Sequence, residues 1–227
     1  MYIEAGQLIY SPSDLTLYMD SPFASWMEHS MLINPELLSF VDSPDEMMFL
    51  LQRRGALHET EVLNSFLQKN LNVVQIAKGS NTLQDTLAAM QSGADIIYQA
   101  PLSLLPFTGY ADFLVKVEGK SCFGDFYYEV LDTKLAKTLK PYVVVQLCCY
   151  AEMLEALQGR RPDYIIAALG NGNNQRLLTN DYFYYYKNLK LQFLRLHQNF
   201  LASNVPNPAD SSNWGRWSNY AEDLLKQ

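Results

Sequence analysis

The spacing of apolar residues changes near Gly93, and this change limits what the chain can fold into. Before it, helical spacing dominates. Leu15, Tyr18 and Met19 form one short stripe, and Met48, Leu51, Leu57, Val62 and Phe66 mark a long helix over residues 45–70. A short strand at 71–76 and a helix over 82–92 follow, and Gly93 is a good helix terminator. After it, residues 95–102, 108–117 and 126–134 read as three strands, with turns at Pro106 and around 119–124. A helix over 143–158 ends at Gly159. A strand at 164–169 then turns through Asn171-Gly172-Asn173 into a partner near 176–178, as a hairpin. A last long helix covers 182–201. Helices, a run of strands, a helix, more strands and more helices predict an α/β domain with a central mixed sheet flanked by helices.

Local signals set several boundaries. Ser11, Pro12 and Asp14 have the spacing of a capping box with Asp in place of Glu, and Ser21-Pro22 repeats the cap-and-proline signal. With 227 residues the chain is long enough for a core without disulfides. Cys122, Cys148 and Cys149 cannot build a disulfide framework, which suits a reducing, cytoplasmic setting. No apolar run approaches the roughly 18 residues of a membrane span, and the start lacks the charged and apolar regions of a signal peptide. No membrane contact is expected. The 17 Lys and Arg against 24 Asp and Glu give a net charge of −7, which excludes a uniformly basic nucleic-acid-binding surface but not a local basic groove.

The chemistry concentrates at Tyr128-Glu129-Val130-Leu131-Asp132-Thr133-Lys134. Side chains alternate along a strand, so Asp132 and Lys134 project side by side from its end, while Glu129 faces the other way. Asp112, in Gly109-Tyr110-Ala111-Asp112 on the preceding strand, offers a second carboxylate. Two carboxylates on neighbouring strands suit Mg²⁺ or Mn²⁺, which prefer oxygen ligands. An exposed Asp/Lys pair on an edge strand fits the same spacing. His58, alone, fits a surface or core histidine, and Gln146 and Tyr150, four apart on a helix, fit a polar spot on one face.

In order, His58, Gly109-x-x-Asp112, Asp132-x-Lys134 and Gln146-x-x-x-Tyr150 resemble the RecB-type branch of the PD-(D/E)XK nucleases. Ser11-Pro12-Ser13-Asp14-Leu15, Gly55-Ala56-Leu57-His58-Glu59 and Gln158-Gly159-x-x-Pro162 extend the likeness to the bacterial group of predicted RecB-family nucleases, over about residues 8–200. The resemblance implies a restriction-endonuclease-like core and a single nuclease domain over 1–227: a helical part at about 1–92, the core at about 93–202 and a tail at about 203–227. It implies a metal held by His58, Asp112, Asp132 and the main-chain carbonyl of Thr133, with Asp112, Asp132 and Lys134 as the catalytic set. Lys134 would position the attacking water, Gln146 and Tyr150 would brace the site or touch DNA, and Glu129 would be a supporting residue. The implied function is a metal-dependent DNA nuclease of repair, recombination or defence, acting on single strands or ends. Members of this group are often joined to a helicase or further nuclease-like region.

Many such nucleases hold an iron–sulfur cluster on four cysteines. The matching positions here carry Ser21, Ser212, Gly215 and Ala221, so no cluster is expected. Trp214 and Trp217 are expected to pack the tail onto the first helices instead. Arg53, Arg54, Lys116, Lys134, Lys137 and Lys140 flank the motifs, as a local groove or as ordinary solvated charges. The run Tyr182-Phe183-Tyr184-Tyr185-Tyr186 is read as core on one helix face rather than as a stacking platform. The alternatives to an enzyme are a catalytically silent nuclease-fold module that binds DNA or a helicase partner, and a scaffold subunit.

Overall fold

The cap signals at Ser11 and Ser21 start two helices in the computed structural model of the chain, which describes every residue except Lys78, Ser80, Asn81, Ser212 and Gln227. Helix α1 (Pro12–Asp20) opens with the predicted box: the Asp14 carboxylate accepts the Ser11 N–H at 2.7 Å and the Ser11 hydroxyl accepts the Asp14 N–H at 3.3 Å. Helix α2 (Pro22–Ile33) begins with the Ala24 N–H donating to Ser21 Oγ. Before them lies a hairpin that the sequence did not announce, β1 (Tyr2–Glu4) and β2 (Gln7–Ile9). Its turn residues, Ala5 and Gly6, both have positive φ, the geometry of a tight hairpin turn. Asn-Gly would have signalled it; Ala-Gly does not.

The remaining elements are α3 (Glu46–Leu67), β3 (Val73–Gln75), α4 (Thr82–Gln91), β4 (Ile96–Leu104), β5 (Phe107–Ser121), β6 (Gly124–Lys134), α5 (Pro141–Gln158), β7 (Tyr164–Leu169), β8 (Asn174–Leu178), α6 (Thr179–Gln198) and α7 (Ser218–Leu225). One mixed sheet runs in the order β3-β4-β5-β6-β7-β8. Strands β4, β5 and β6 form an antiparallel meander. Helix α5 then crosses over so that β7 pairs parallel to β6, and β8 folds back on β7 as the predicted hairpin. Both faces are covered, so the central strands are nearly continuous apolar runs. Ile97, Leu114, Val130 and Ile165 face the layer containing α5 and α6, while Ile96, Phe113, Leu131 and Ala168 face Leu63 of α3. The alternation slips within β4. Gln99 has φ +53, and Ile97 and Ala100, three apart, both enter the α5-side core. No helix among the described residues is long and apolar enough to cross a membrane.

The tail packs onto α2 as expected. Trp217 is fully buried among Phe23, Trp26 and Met27, and its indole N–H donates to Glu28 at 2.9 Å. Arg216 grips the same carboxylate, and Asp42 accepts the Ser218 N–H at 2.8 Å. Of the positions matched to cluster cysteines, Ser21 caps α2, Ala221 is buried beside Trp217, Gly215 leads into Trp217, and Ser212 lies outside the described residues. Cys148 and Cys149 are buried on α5, and burial pushes both thiols up to about 12, so they pack as neutral groups.

A histidine pair joins α2 to α6. His197 meets Ser25 Oγ at 3.0 Å through Nε2 and His29 at 3.0 Å through Nδ1. Burial, the facing His29 and the chain's amino terminus hold His197 down to about 3, against the opposite pull of Asp14. The unfolded chain binds this proton below about pH 6.5 and the folded chain refuses it, so stability is complete above that pH and falls as pH drops toward 3. The buried Asp132 carboxyl, raised to about 7, works the opposite way in this window, so it is in an Asp132→Asn background that the melting temperature is expected to fall between pH 7 and pH 5. His197→Gln should flatten that slope, and an unchanged slope would rule the pair out as its cause.

Candidate functional site

The sheet opens where the two carboxylates meet. Pairing of β5 with β6 runs down to Phe113 opposite Leu131, one residue short of Asp112 and Asp132. From there the Asp112 side chain takes over from the backbone: its Oδ2 accepts both the N–H and the hydroxyl of Thr133, each at 2.7 Å. Asp112 is thereby fixed against the end of β6.

Asp132 is 2% exposed and lies on the α5 side of β6. Its Oδ2 touches the Lys134 ammonium, two residues on and on the same face as the strand period requires. Among the described residues this buried oxygen has no further hydrogen-bond partner. Burial pushes the Asp132 carboxyl up to about 7 against the pull of Lys134, and the negative charges of Asp112 and Glu59 add to the rise.

Helix α5 supplies the wall. Gln146 Nε2 reaches Asp132 Oδ1 at 3.4 Å. Tyr150, one turn on, donates its hydroxyl to the Tyr110 carbonyl at 2.8 Å and is buried, so it braces β5 and is shut away from any substrate. This contact explains Gly109: a Cβ there would lie 3.0 Å from the Tyr150 ring and from Pro12. Gly-x-x-Asp is thus a gap for the tyrosine followed by the carboxylate.

The other predicted residues are placed differently. His58 sits on the α3 side, with Nε2 3.2 Å from the Ala168 carbonyl and Nδ1 3.8 Å from Glu61. Among the described residues, no three His, Cys, Asp or Glu side chains converge as a metal cage, so His58, Asp112 and Asp132 do not form one. Glu129 does not join the site. It is fully buried on the opposite face, where it accepts the Tyr164 N–H at 3.2 Å and pairs with Arg176 at 3.2 Å. Lys116 is not a groove residue either: it is tied to Asp95 and the Gly93 carbonyl at the far end of the sheet.

Glu59 carried no role in the sequence reading, yet it bonds Gln99 and its charge reaches Asp132. The available signal was its place beside His58 in an otherwise unexplained acidic step. Arg53, Arg54, Lys137 and Lys140 are exposed and have no carboxylate partner among the described residues. They lie on the two segments that border the site, the start of α3 and the loop after Lys134. Glycine sets that loop, since Gly170 lies directly against Leu135 and its N–H donates to the Ala136 carbonyl at 3.2 Å.

The donor set fits a hard divalent cation. Asp132 Oδ2 is buried with the Lys134 ammonium as its one described partner, and the second carboxylate, Asp112, engages Thr133 through one oxygen. Neither a family model nor a curated protein matches the chain.

Proposed function

We propose that the protein is a divalent-metal-dependent nuclease with a restriction-endonuclease-like core of the RecB type, hydrolysing phosphodiester bonds in DNA single strands or ends. One observation carries the reading: a buried carboxylate, Asp132, is held against Lys134 and next to Asp112 where the strands part. Burying a charge is costly unless it is paired and hydrogen-bonded, and perturbed groups in such places are candidates for chemistry.

Asp112 and Asp132 would hold Mg²⁺ or Mn²⁺, which supplies an activated water and neutralises charge on the phosphate. Thr133 fixes Asp112, and Gln146 steadies Asp132. Lys134 orients the attacking water and stabilises negative charge as it grows on the phosphate, a role that preorganised cations fill without reorganising. Arg53, Arg54, Lys137 and Lys140 draw the backbone to the site of a chain whose net charge is −7. Iron–sulfur chemistry has no part in this proposal, since the matching positions carry no thiolates.

A second reading, a silent module docked on a helicase or another protein, has its own support. The start of α3 exposes Met47, Met48, Phe49, Leu50 and Leu51 in succession, with Leu57 further along, and a helical stretch apolar all round is usually covered. Metal binding separates the two. Mn²⁺ at a hundredfold excess over its Kd is expected to raise the melting temperature by roughly 5–10 °C. The rise should vanish in Asp132→Ala, and no response in the wild type would favour the second reading.

A further inference from the structure

A cavity of about 220 Å³ opens between α5 and α6, lined by Leu139, Lys140, Val144, Cys148, Tyr182 and Tyr185 among others. We propose that it holds one unpaired nucleobase of the strand being cut, with the adjoining phosphate on Lys140; this rests on the nuclease reading above.

Three features select this occupant. The first is shape and lining. The walls are apolar, and the volume is below the roughly 300–1,000 Å³ of pockets for drug-sized ligands, which suits one heterocycle and excludes a base pair. The second is the pair of tyrosines. Tyr182 and Tyr185 stand one turn apart on α6 and are 36% and 56% exposed. On the buried side of the same run, Phe183 and Tyr186 pack on each other, and the Tyr186 hydroxyl is engaged by Glu152. Tyr182 and Tyr185 have no aromatic partner among the described residues, so their faces are available to a base, and base–aromatic stacking tolerates any sequence. The run is therefore split: Phe183 and Tyr186 are core, as read from the sequence, with Tyr186 also forming part of the cavity wall, while the exposed Tyr182 and Tyr185 edge it.

The third is charge and position. Lys140 is exposed at the rim, without a carboxylate partner among the described residues, and it is also the N-cap residue of α5, which has no side-chain cap. The positive end of an 18-residue helix adds to its charge at the place where a phosphate would lie. Helix α5 and the loop before it link the cavity to the site, which lie on different faces of the helix. Gln146 faces Asp132 while Val144, Val145 and Cys148 line the cavity, and the loop that leaves Lys134 delivers Leu139 and Lys140 to its rim. A strand crossing the start of α5 would place a base in the cavity and its backbone near Lys134. A duplex could do so only with its bases unpaired.

The test measures binding of dAMP and of deoxyribose 5-phosphate to the whole protein in EDTA, by calorimetry or NMR, and then single-strand cleavage. Tyr185→Ala removes an exposed ring, and Val144→Trp fills the cavity. The expected result is that dAMP binds more tightly than the sugar phosphate and that both variants weaken dAMP about tenfold or more. With unchanged melting temperature and kcat, Tyr185→Ala should also raise KM for an oligonucleotide, which separates a strand subsite from a site for free nucleotide. Equal binding of dAMP and sugar phosphate, or no loss in either variant, would overturn the pocket while leaving the nuclease untouched. Base-dependent binding by a protein that cuts nothing would instead overturn the nuclease reading on which the pocket's role depends.

Discussion

Asp132→Asn is expected to stop metal-dependent cleavage while leaving the metal-free protein at least as stable as the wild type. The carboxylate is 2% exposed, and burial opposes its charge more strongly than Lys134 supports it. Asparagine keeps the shape and removes the charge, so the desolvation cost disappears. Lys134 loses its partner but is 21% exposed and can turn to water. Cleavage should drop by at least about 10²–10³-fold, the scale seen when one charge-stabilising group is removed from a prepared site. Stability and activity moving together would show that Asp132 only holds the fold. Denaturant unfolding in EDTA beside a cleavage assay reads both quantities.

Gly170→Ala should have the largest effect on stability of any conservative change near the site. A Cβ at Gly170 would lie 2.3 Å from the Leu135 carbonyl oxygen and 2.9 Å from its carbon. Both atoms are backbone, so no side chain can rotate away. Either the end of β7 or the residue after Lys134 must move, and the Gly170 N–H bond to the Ala136 carbonyl goes with it. Overpacking of this kind costs about 3 kcal/mol, a fall in melting temperature of roughly 6–12 °C for a chain of this size. Cleavage should fall as well, because Lys134 is displaced, although Gly170 meets no substrate. A loss below about 0.5 kcal/mol, the range of ordinary surface substitutions, would show that the loop is free to yield.

What the sequence revealed depended on how local each cause was. The Ser11–Asp14 box lies within one turn, and it was legible residue by residue. The Asn171-Gly172-Asn173 hairpin and the strand ending at Lys134 were legible from turn chemistry and strand alternation, which also put Glu129 on the far face. The hairpin at Ala5-Gly6 was not legible, because alanine rarely takes positive φ and only the folded backbone demands it. Lys116 was left between a groove residue and a solvated charge, because its partner, Asp95, lies far off in the sequence, just before β4. The site was half legible. Strand period placed Asp132 beside Lys134, but the splayed β5 that hands Asp112 to Thr133, the siting of His58 at the Ala168 carbonyl and the charge of Glu59 all depend on how α3 and β5 cross the sheet. Gly170 looked like part of a turn; its reason is a backbone lying against it.

The most direct measurement is a cleavage assay on end-labelled single- and double-stranded DNA, with Mg²⁺, Mn²⁺ or EDTA, comparing the wild type with Lys134→Ala. Cleavage of the single strand or of ends is expected with either metal, and none with EDTA or without the lysine. Cleavage that persists in EDTA or in Lys134→Ala would contradict the assigned chemistry, and no cleavage in any condition, from protein that also fails to respond to Mn²⁺, would contradict the nuclease itself.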